Sequence, residues 1–356
     1  MRRFWSTKRL YRRVHSDEVL TEAWRKVRAN SQVAGVDGVT IPQFESRLFM
    51  KLKGLQRELE TRKYTPQAVK RLSLPKADGR RRMLGILTVR DRIVQRAVLE
   101  VIQPRFEAEF EESSYGFRPG RSIEDALEQV RRWVEQGYSW SLDLDIASFF
   151  DRIPLDRLYR QIRAKLHDRE LLRLIRTWLE LGRLNSEQRG WGFWRRERRR
   201  GVLQGSALSP LWANIYLDRF DKRARQAKLK TVRYADDILI LSPGRPEAKA
   251  ALKWADHLLG RLGLALNHHK TSLVHAEKGF DFLGQRVQLC PADDPGDSGR
   301  VQIGRPQSGS DGAIALPAAV PATGNGQRPR AAESVMILEE KDEEKGEEWD
   351  DDALSE

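Results

Sequence analysis

Two short apolar stretches constrain the fold most, because each carries acids where strands ordinarily exclude them. They are WSLDLDIASFF at residues 140–150 and TVRYADDILIL at residues 231–241. In the first, the period of two puts Ser141, Asp143 and Asp145 on one face and Leu142, Leu144 and Ile146 on the other. In the second, Val232 and the run Ile238, Leu239, Ile240, Leu241 are strand formers flanking a polar break at Ala235, Asp236 and Asp237. That pattern reads as a hairpin with its acids at the tip. An isolated pair of aspartates on a solvated turn would need no further explanation. Two acids on an apolar strand are disfavoured by propensity, and their retention points to a cation nearby, whether Lys, Arg or a divalent metal. Oxygen ligands without His or Cys favour Mg²⁺ or Mn²⁺ over zinc.

Charge narrows the partner. The 356 residues hold 64 Lys plus Arg against 51 Asp plus Glu, a net of +13. Residues 331–356 contain 12 acids and two lysines, which leaves +23 on residues 1–330. Such a body attracts phosphate backbones through counterion release, without regard to sequence. Scattered surface Lys and Arg would give the same total, so motifs must decide. No stretch of ~18 apolar residues suggests a membrane span. The start MRRFWSTKRLYRR lacks the apolar core of a secretory signal. Cys290 is the only cysteine, so neither a disulfide framework nor a Cys-based zinc site is available, and the cytoplasm is the expected compartment. The six histidines, His268 and His269 included, show no metal-ligand spacing and read as surface residues. Beyond Cys290 the composition turns to Pro, Gly, Ser and Asp and then to the acidic run, which predicts a disordered tail.

Taken together, the blocks resemble a reverse transcriptase of the group II intron lineage. YADD at residues 234–237 resembles the catalytic hairpin, and DIASFFD at residues 145–151 the other metal-bearing strand end. Other matches follow in the family's order: residues 71–98 the fingers block, and SYGFRPGRS at 114–122 the signature after it. GVLQGSALSPLWANIYLDRFD at 201–221 resembles the template- and nucleotide-contacting block, and LNHHKTSL at 266–273 and GFDFLGQRV at 279–287 the last two palm motifs. AGVDGVT at 34–40 resembles the N-terminal extension of this lineage. Eight blocks in order leave little room for coincidence.

The resemblance implies an RNA-directed DNA polymerase that extends a DNA or RNA primer on an RNA template with dNTPs. It implies two Mg²⁺ ions, Mn²⁺ being an alternative, held by Asp145, Asp236, Asp237 and the Ile146 carbonyl. Asp143 and Asp151 match no family ligand and are expected to be structural. Lys76 and Arg82 flank the turn of the fingers hairpin and suit triphosphate oxygens. Met83 and Leu87 stand where the family usually has prolines, which leaves open which of Arg80, Arg81 and Arg82 meets phosphate. Gln204 and Gly205, before a helix start at Ser209-Pro210, are expected near the incoming nucleotide. Phe150 is placed beneath the sugar as a barrier to a 2′-hydroxyl, with Phe149 in the core. Lys270, after a short strand LALN, is placed to protonate pyrophosphate. Arg118, Tyr234, Trp191, Trp194, Arg195 and Arg196 are assigned to template and primer. The segment RGWGFWRRERRRG at 189–201 fits aromatic stacking with phosphate attraction, and fits a purely stabilising hairpin equally well.

The fold class that follows is α+β, a right-hand polymerase whose antiparallel palm sheet packs on helices and which carries a disordered C-terminal tail. The expected organisation is a basic arm at 1–15, fingers with the N-terminal extension at 16–139, the palm at 140–289 and the tail at 290–356, with no recognisable thumb. A thumb is then absent, unrecognisably short, or supplied by a partner protein. The spelling QGSALSP followed by ANIYLDRFD also resembles relatives associated with CRISPR arrays, which implies an integrase complex as partner and spacer acquisition from RNA. Two other functions fit the same residues: a maturase-like RNA-binding protein assisting intron splicing, and a two-metal nuclease.

Overall fold

The computed structural model describes residues 10–30, 33–75, 81–184, 200–290 and 300–305. Lys76, Trp191, Trp194, Arg195 and Arg196 lie outside these residues, as does most of the expected tail. Helices lead the chain: α1 (Leu10–Val14), α2 (Asp17–Asn30), α3 (Ile41–Glu45) and α4 (Leu48–Glu60). The hairpin β1 (Lys70–Pro75) and β2 (Arg81–Ile86) follows, then α5 (Val89–Glu107) and α6 (Ile123–Glu135). Strand β3 (Trp140–Leu144) leads into α7 (Phe149–Arg152), α8 (Leu155–Lys165), α9 (Arg169–Leu184) and α10 (Ser209–Gln226). The last elements are β4 (Lys230–Tyr234), β5 (Asp237–Ser242), α11 (Arg245–Leu262), β6 (Ser272–His275), β7 (Phe280–Phe282), β8 (Gln285–Cys290) and β9 (Arg300–Gly304).

Local chemistry sets the element ends. Thr88 caps α5 by accepting from the Asp91 amide, and Ser122 closes a capping box with Asp125 at the start of α6. Pro210 sits in the first turn of α10, where its missing N–H costs nothing. The left-handed Gly263 ends α11. Helix α5 is buried along most of its length, through Ile93, Val94, Ala97, Val98 and Ile102 among others. Each large aliphatic buried there contributes ~1.5–3 kcal/mol against the cost of ordering the chain.

The central sheet has four strands in the order β4-β5-β3-β6, and every neighbouring pair is antiparallel. Its two faces feed different cores. Leu142, Leu144, Ile238 and Ile240 join the larger core with α5, α8, α10 and α11. Val232, Tyr234, Leu239 and Leu241 join a second core with α6 and the small sheet β7-β8-β9. The fold is therefore mixed helix and antiparallel sheet, as the sequence predicts.

Two expectations need correction. Residues 300–304 do not belong to the tail: β9 pairs with β8 from Arg286↔Gly304 to Cys290↔Arg300, and Val301 is buried in the second core. Its Val301 and Ile303 keep the strand period, and pairing to β8 supplies what the surrounding Pro, Gly and Asp composition hides. The segment LALN is not a strand either. It contributes one antiparallel bridge, Ile146↔Leu266, fixed by the Ala147 amide on the Ala265 carbonyl and the Asn267 amide on the Asp145 carbonyl.

Candidate active site

The acids meet because β3 and β5 are neighbours. Leu144 pairs with Ile238, so one further step in register sets Asp145 opposite Asp237 at the end of the sheet. Tyr234 pairs with Asp237 across the tight β4–β5 turn, which leaves Ala235 and Asp236 as its tip. Ala235 takes a left-handed conformation, φ 59°, as do Ser148 after β3 (φ 46°) and Phe117 in the loop before α6 (φ 58°). Each such non-glycine residue costs of order 1–3 kcal/mol, and strain of this kind gathers at working sites.

The acids perturb one another. Asp237 is exposed at the end of its strand, yet the protein packed around it leaves its carboxyl poorly solvated; that, then the charges of Asp236, Asp143 and Asp145, push it up to about 7. Burial, and after it Asp145, raises Asp143 to about 6. Burial also raises Asp236, while the charges of Arg82 and Arg233 act in the opposite sense. Negative charge is thus concentrated at the strand ends with little cationic compensation, an environment that a hard divalent cation would relieve. Among the described residues no group of three or more His, Cys, Asp or Glu side chains is placed to hold a metal ion. Mg²⁺ typically takes one or two carboxylates and completes its shell with water and substrate phosphate. The bridge at Leu266 engages the Asp145 carbonyl and the Ala147 amide and not the Ile146 carbonyl. The donors at the strand ends are oxygens alone, the kind that Mg²⁺ or Mn²⁺ accepts.

Beside the acids lies a cavity of about 420 Å³ lined by Arg82, Gly85, Phe117, Phe150, Gln204 and Gly205, with Lys26, Arg92 and Arg96 at its basic wall. None of the three acids lines it, so it is a neighbouring chamber. Arg82 donates from Nε to Gln204 Oε1 at 2.7 Å, and Gln204 Nε2 donates to Asp151 Oδ1 at 3.0 Å. Arg81 instead bonds Ser73 within its own hairpin at 2.6 Å. Of the arginines left open by the sequence, Arg82 faces the chamber, Arg81 does not line it, and Arg80 is outside the described residues. The Gly85 amide donates to the Gln204 carbonyl at 2.7 Å, clamping β2 to the loop before α10. Gly205 (φ +97°) permits this approach, since a Cβ there would lie 2.6 Å from the Gly85 carbonyl oxygen. Phe149 is buried in the larger core, whereas Phe150 lines the chamber.

The remaining assigned residues fall into two groups. Lys270 is exposed on the turn at 267–270, whose Asn267 amide holds the Asp145 carbonyl, so its backbone is tied to the acid strand. Tyr234 is buried, its ring 6.3 Å from that of Phe117, which is 49% exposed. Arg118 is turned inward: it donates to Glu107 at 2.6 Å and to the Glu111 and Ser114 carbonyls at 2.7 Å. Its guanidinium braces a loop in this conformation and is not presented to a nucleic acid.

Asp151, read from the sequence as a structural acid near the site, accepts from Gln204. One residue of the site escapes sequence reasoning. Arg233 reads as one more strand residue in TVRY, yet it is the largest fully buried side chain among the described residues. The signal for Arg233 is its place between Val232 and Tyr234 in an apolar strand, since arginine is almost never fully buried without partners.

Comparison with known proteins identifies the family. The profile of the family described as reverse transcriptase (RNA-dependent DNA polymerase) matches residues 74–287. Protein YkfC of Escherichia coli is 31% identical over 78% of this chain and 82% of its own length. Group II intron-encoded protein LtrA of Lactococcus lactis subsp. cremoris is 31% identical over 71% of this chain and 41% of its own. The chain thus spans less than half of LtrA, while the lineage inferred from the motifs is met among its relatives. Similar solved structures include a partial Cas6-RT-Cas1–Cas2 complex, with TM-score 0.40, 22% identity, and coverage of 69% of this chain and 42% of that one. Another is apo telomerase from Candida tropicalis truncated from the C-terminal domain, with TM-score 0.49, 14% identity, and coverage of 68% and 55%. No described helix is long and apolar enough to cross a membrane. Because the profile covers more than half of the chain, both acid-bearing strands included, the chain belongs to the reverse transcriptase (RNA-dependent DNA polymerase) family.

Proposed function

We propose that the chain is an active RNA-directed DNA polymerase, adding dNTPs to a primer 3′-end on an RNA template. The observation that carries this reading is the register that sets Asp145 opposite Asp237, with Asp236 at the adjoining turn, beside a basic chamber lined by Arg82, Phe150, Gln204 and Gly205. In this reading the β1–β2 hairpin belongs to the fingers and the central sheet is the palm.

Asp145, Asp236, Asp237 and the Ile146 carbonyl would hold Mg²⁺ or Mn²⁺, which would favour ionisation of the primer hydroxyl and neutralise charge on the leaving pyrophosphate. The chain's own residues do the rest. Arg82 offers a guanidinium fork to triphosphate oxygens, and its bond to Gln204 holds that fork at the chamber mouth. Gln204, itself held by Asp151, orients the nucleotide, and the Gly205 backbone leaves room for close approach. Phe150 closes the space a ribose 2′-hydroxyl would need. Lys270 donates a proton to pyrophosphate from the turn tied to Asp145. Positioning of this kind is the protein's main contribution to phosphoryl transfer.

Primer extension on an RNA template with dNTPs and Mg²⁺ tests the reading, and extension abolished by Asp236→Ala supports it. A second reading, RNA binding without synthesis, is favoured by the basic body of +23 and by relatives named as intron-encoded proteins. It predicts tight RNA binding and no extension. The spelling of the block at 201–221 supports an integrase complex as partner, for which co-purification with an integrase encoded alongside this chain is the test.

A further inference from the structure

We propose that Arg233 is a positioning residue for Asp236, holding the turn that presents this carboxylate; the inference rests on the polymerase reading for its consequence in catalysis. Arg233 lies in β4 immediately before Tyr234 and is 0% exposed. Its guanidinium uses every N–H it has. Nε donates to Asp221 Oδ1 at 2.8 Å and Oδ2 at 3.0 Å. Nη2 donates to Asp221 Oδ2 at 2.5 Å and to Ser114 Oγ at 2.7 Å. Nη1 donates to Asn214 Oδ1 at 2.9 Å and to the Ala235 carbonyl at 2.7 Å.

The last bond matters most. Ala235 is the left-handed residue of the turn, and its carbonyl carbon is bonded directly to the Asp236 nitrogen. The bond therefore fixes the peptide plane from which Asp236 projects. Three segments far apart in sequence meet at this one side chain: β4, helix α10 through Asn214 and Asp221, and the loop at 113–116 through Ser114. The loop is tied to β4 by backbone as well, since the Arg233 amide donates to the Ser113 carbonyl at 2.7 Å and the Tyr115 amide to the Arg233 carbonyl at 2.8 Å.

The same turn is backed from a second direction. Asn214 Nδ2 donates to the Gly116 carbonyl at 2.8 Å, so the residue that accepts from Arg233 also seats Gly116. A Cβ at Gly116 would overlap the Ala235 amide nitrogen and crowd Tyr234. Gly116 and the Arg233 guanidinium thus grip Ala235 by its nitrogen and its carbonyl. Lysine cannot replace this fork, because one ammonium on a flexible stem cannot reach Asp221, Asn214, Ser114 and Ala235 together.

Groups that orient the ligands of a metal site typically cost about 10- to 100-fold in metal affinity when removed. The full chain is compared with Arg233→Lys, Ser114→Ala and Gly116→Ala. The readouts are Mn²⁺ binding by electron paramagnetic resonance without nucleic acid, amide exchange across residues 231–241, thermal melting, and primer-template affinity. Folded variants are expected to bind Mn²⁺ about 10-fold more weakly, to exchange amides of the hairpin several-fold faster, and to hold primer-template as wild type does. Ser114→Ala and Gly116→Ala carry the test if Arg233→Lys does not fold. Variants that melt lower but keep wild-type Mn²⁺ binding and hairpin exchange would overturn the proposal, leaving Arg233 a purely stabilising residue. Failure of the polymerase reading shows differently: the wild-type chain neither binds Mn²⁺ nor extends a primer, while hairpin exchange still reports whether Arg233 holds the turn.

Discussion

Substituting Gly205 with alanine tests the clamp between the β1–β2 hairpin and the loop before α10. The new methyl would start 2.6 Å from the Gly85 carbonyl oxygen, whereas carbon–oxygen contacts settle no closer than roughly 3.3 Å. The obstacle is backbone on both sides, so no side chain can swing away. A φ of +97° at residue 205 adds conformational strain for any residue with a Cβ, of order 1–3 kcal/mol. Relief of the clash requires β2 to draw back, which breaks the bond from the Gly85 amide to the Gln204 carbonyl and gives up a further ~0.5–1.5 kcal/mol. The strain of ~1–3 kcal/mol in the closed form shifts the clamp toward its open form by roughly 5- to 150-fold. An opened clamp separates Arg82 from Gln204, so KM for dNTP should rise with little change in primer-template affinity. Steady-state extension kinetics and denaturant unfolding measure both effects. Gly137→Ala is the control: its φ is +91°, nothing lies within 4 Å of its Cβ, and it should cost only ~1–2 kcal/mol with KM unaltered. Wild-type KM and stability in Gly205→Ala would refute the close-approach account.

Other outcomes follow from the same site. Phe150→Ala should lower the ratio of kcat/KM for dNTP to that for the matched rNTP, while Phe149→Ala should mainly destabilise, by ~3–5 kcal/mol, because it empties core; a ratio shift confined to Phe149→Ala would mean that the wrong ring has been assigned to the sugar. Arg82→Ala should raise KM for dNTP by about 10- to 100-fold through loss of a charge-assisted contact, and Arg81→Ala far less; equal effects in the two would contradict the orientation of Arg82 toward Gln204. Glu128 in α6 is held down to about 2 by hydrogen bonds from Arg131 and Arg132, so its contribution is present above the unfolded carboxylate range and lost as pH falls toward 2. The group is exposed, and screening limits Glu128→Gln to under ~1 kcal/mol at neutral pH; a larger loss in thermal or denaturant unfolding would show that these pairs act as a network.

The acid-bearing strands were legible because a strand's period of two and an apolar run are local signals, and the paired register of β3 and β5 then brings Asp145 to Asp237. The family resemblance, not the strand period, put Phe149 in the core and Phe150 at the nucleotide, and on the short helix α7 Phe149 is buried while Phe150 lines the chamber. What the sequence hid is long-range. Arg233 has no side-chain partner in its own segment: Asp221 and Asn214 come from α10, and Ser114 from a loop 119 residues earlier. Asp151 was read as a structural acid near the site, but its partner Gln204, 53 residues away, was not legible. Strand β9 was lost in a Pro- and Gly-rich stretch, since pairing with β8 decides its state more than its own propensity does. LALN failed for the opposite reason, having an apolar alternation whose backbone finds one bridge and no ladder. Arg118 was drawn to nucleic acid by charge, although Glu107 and two carbonyls already occupy it.

The central claim is that Asp145, Asp236 and Asp237 form a polymerising centre. Its most direct test is extension of an annealed primer on an RNA template by the purified chain, with dNTPs and Mg²⁺, wild type beside Asp236→Ala. The account predicts template-directed DNA synthesis by the wild type and none by Asp236→Ala, with both proteins folded and binding primer-template alike. Synthesis that persists in Asp236→Ala, or a folded wild type that binds primer-template and adds no nucleotide, would contradict it.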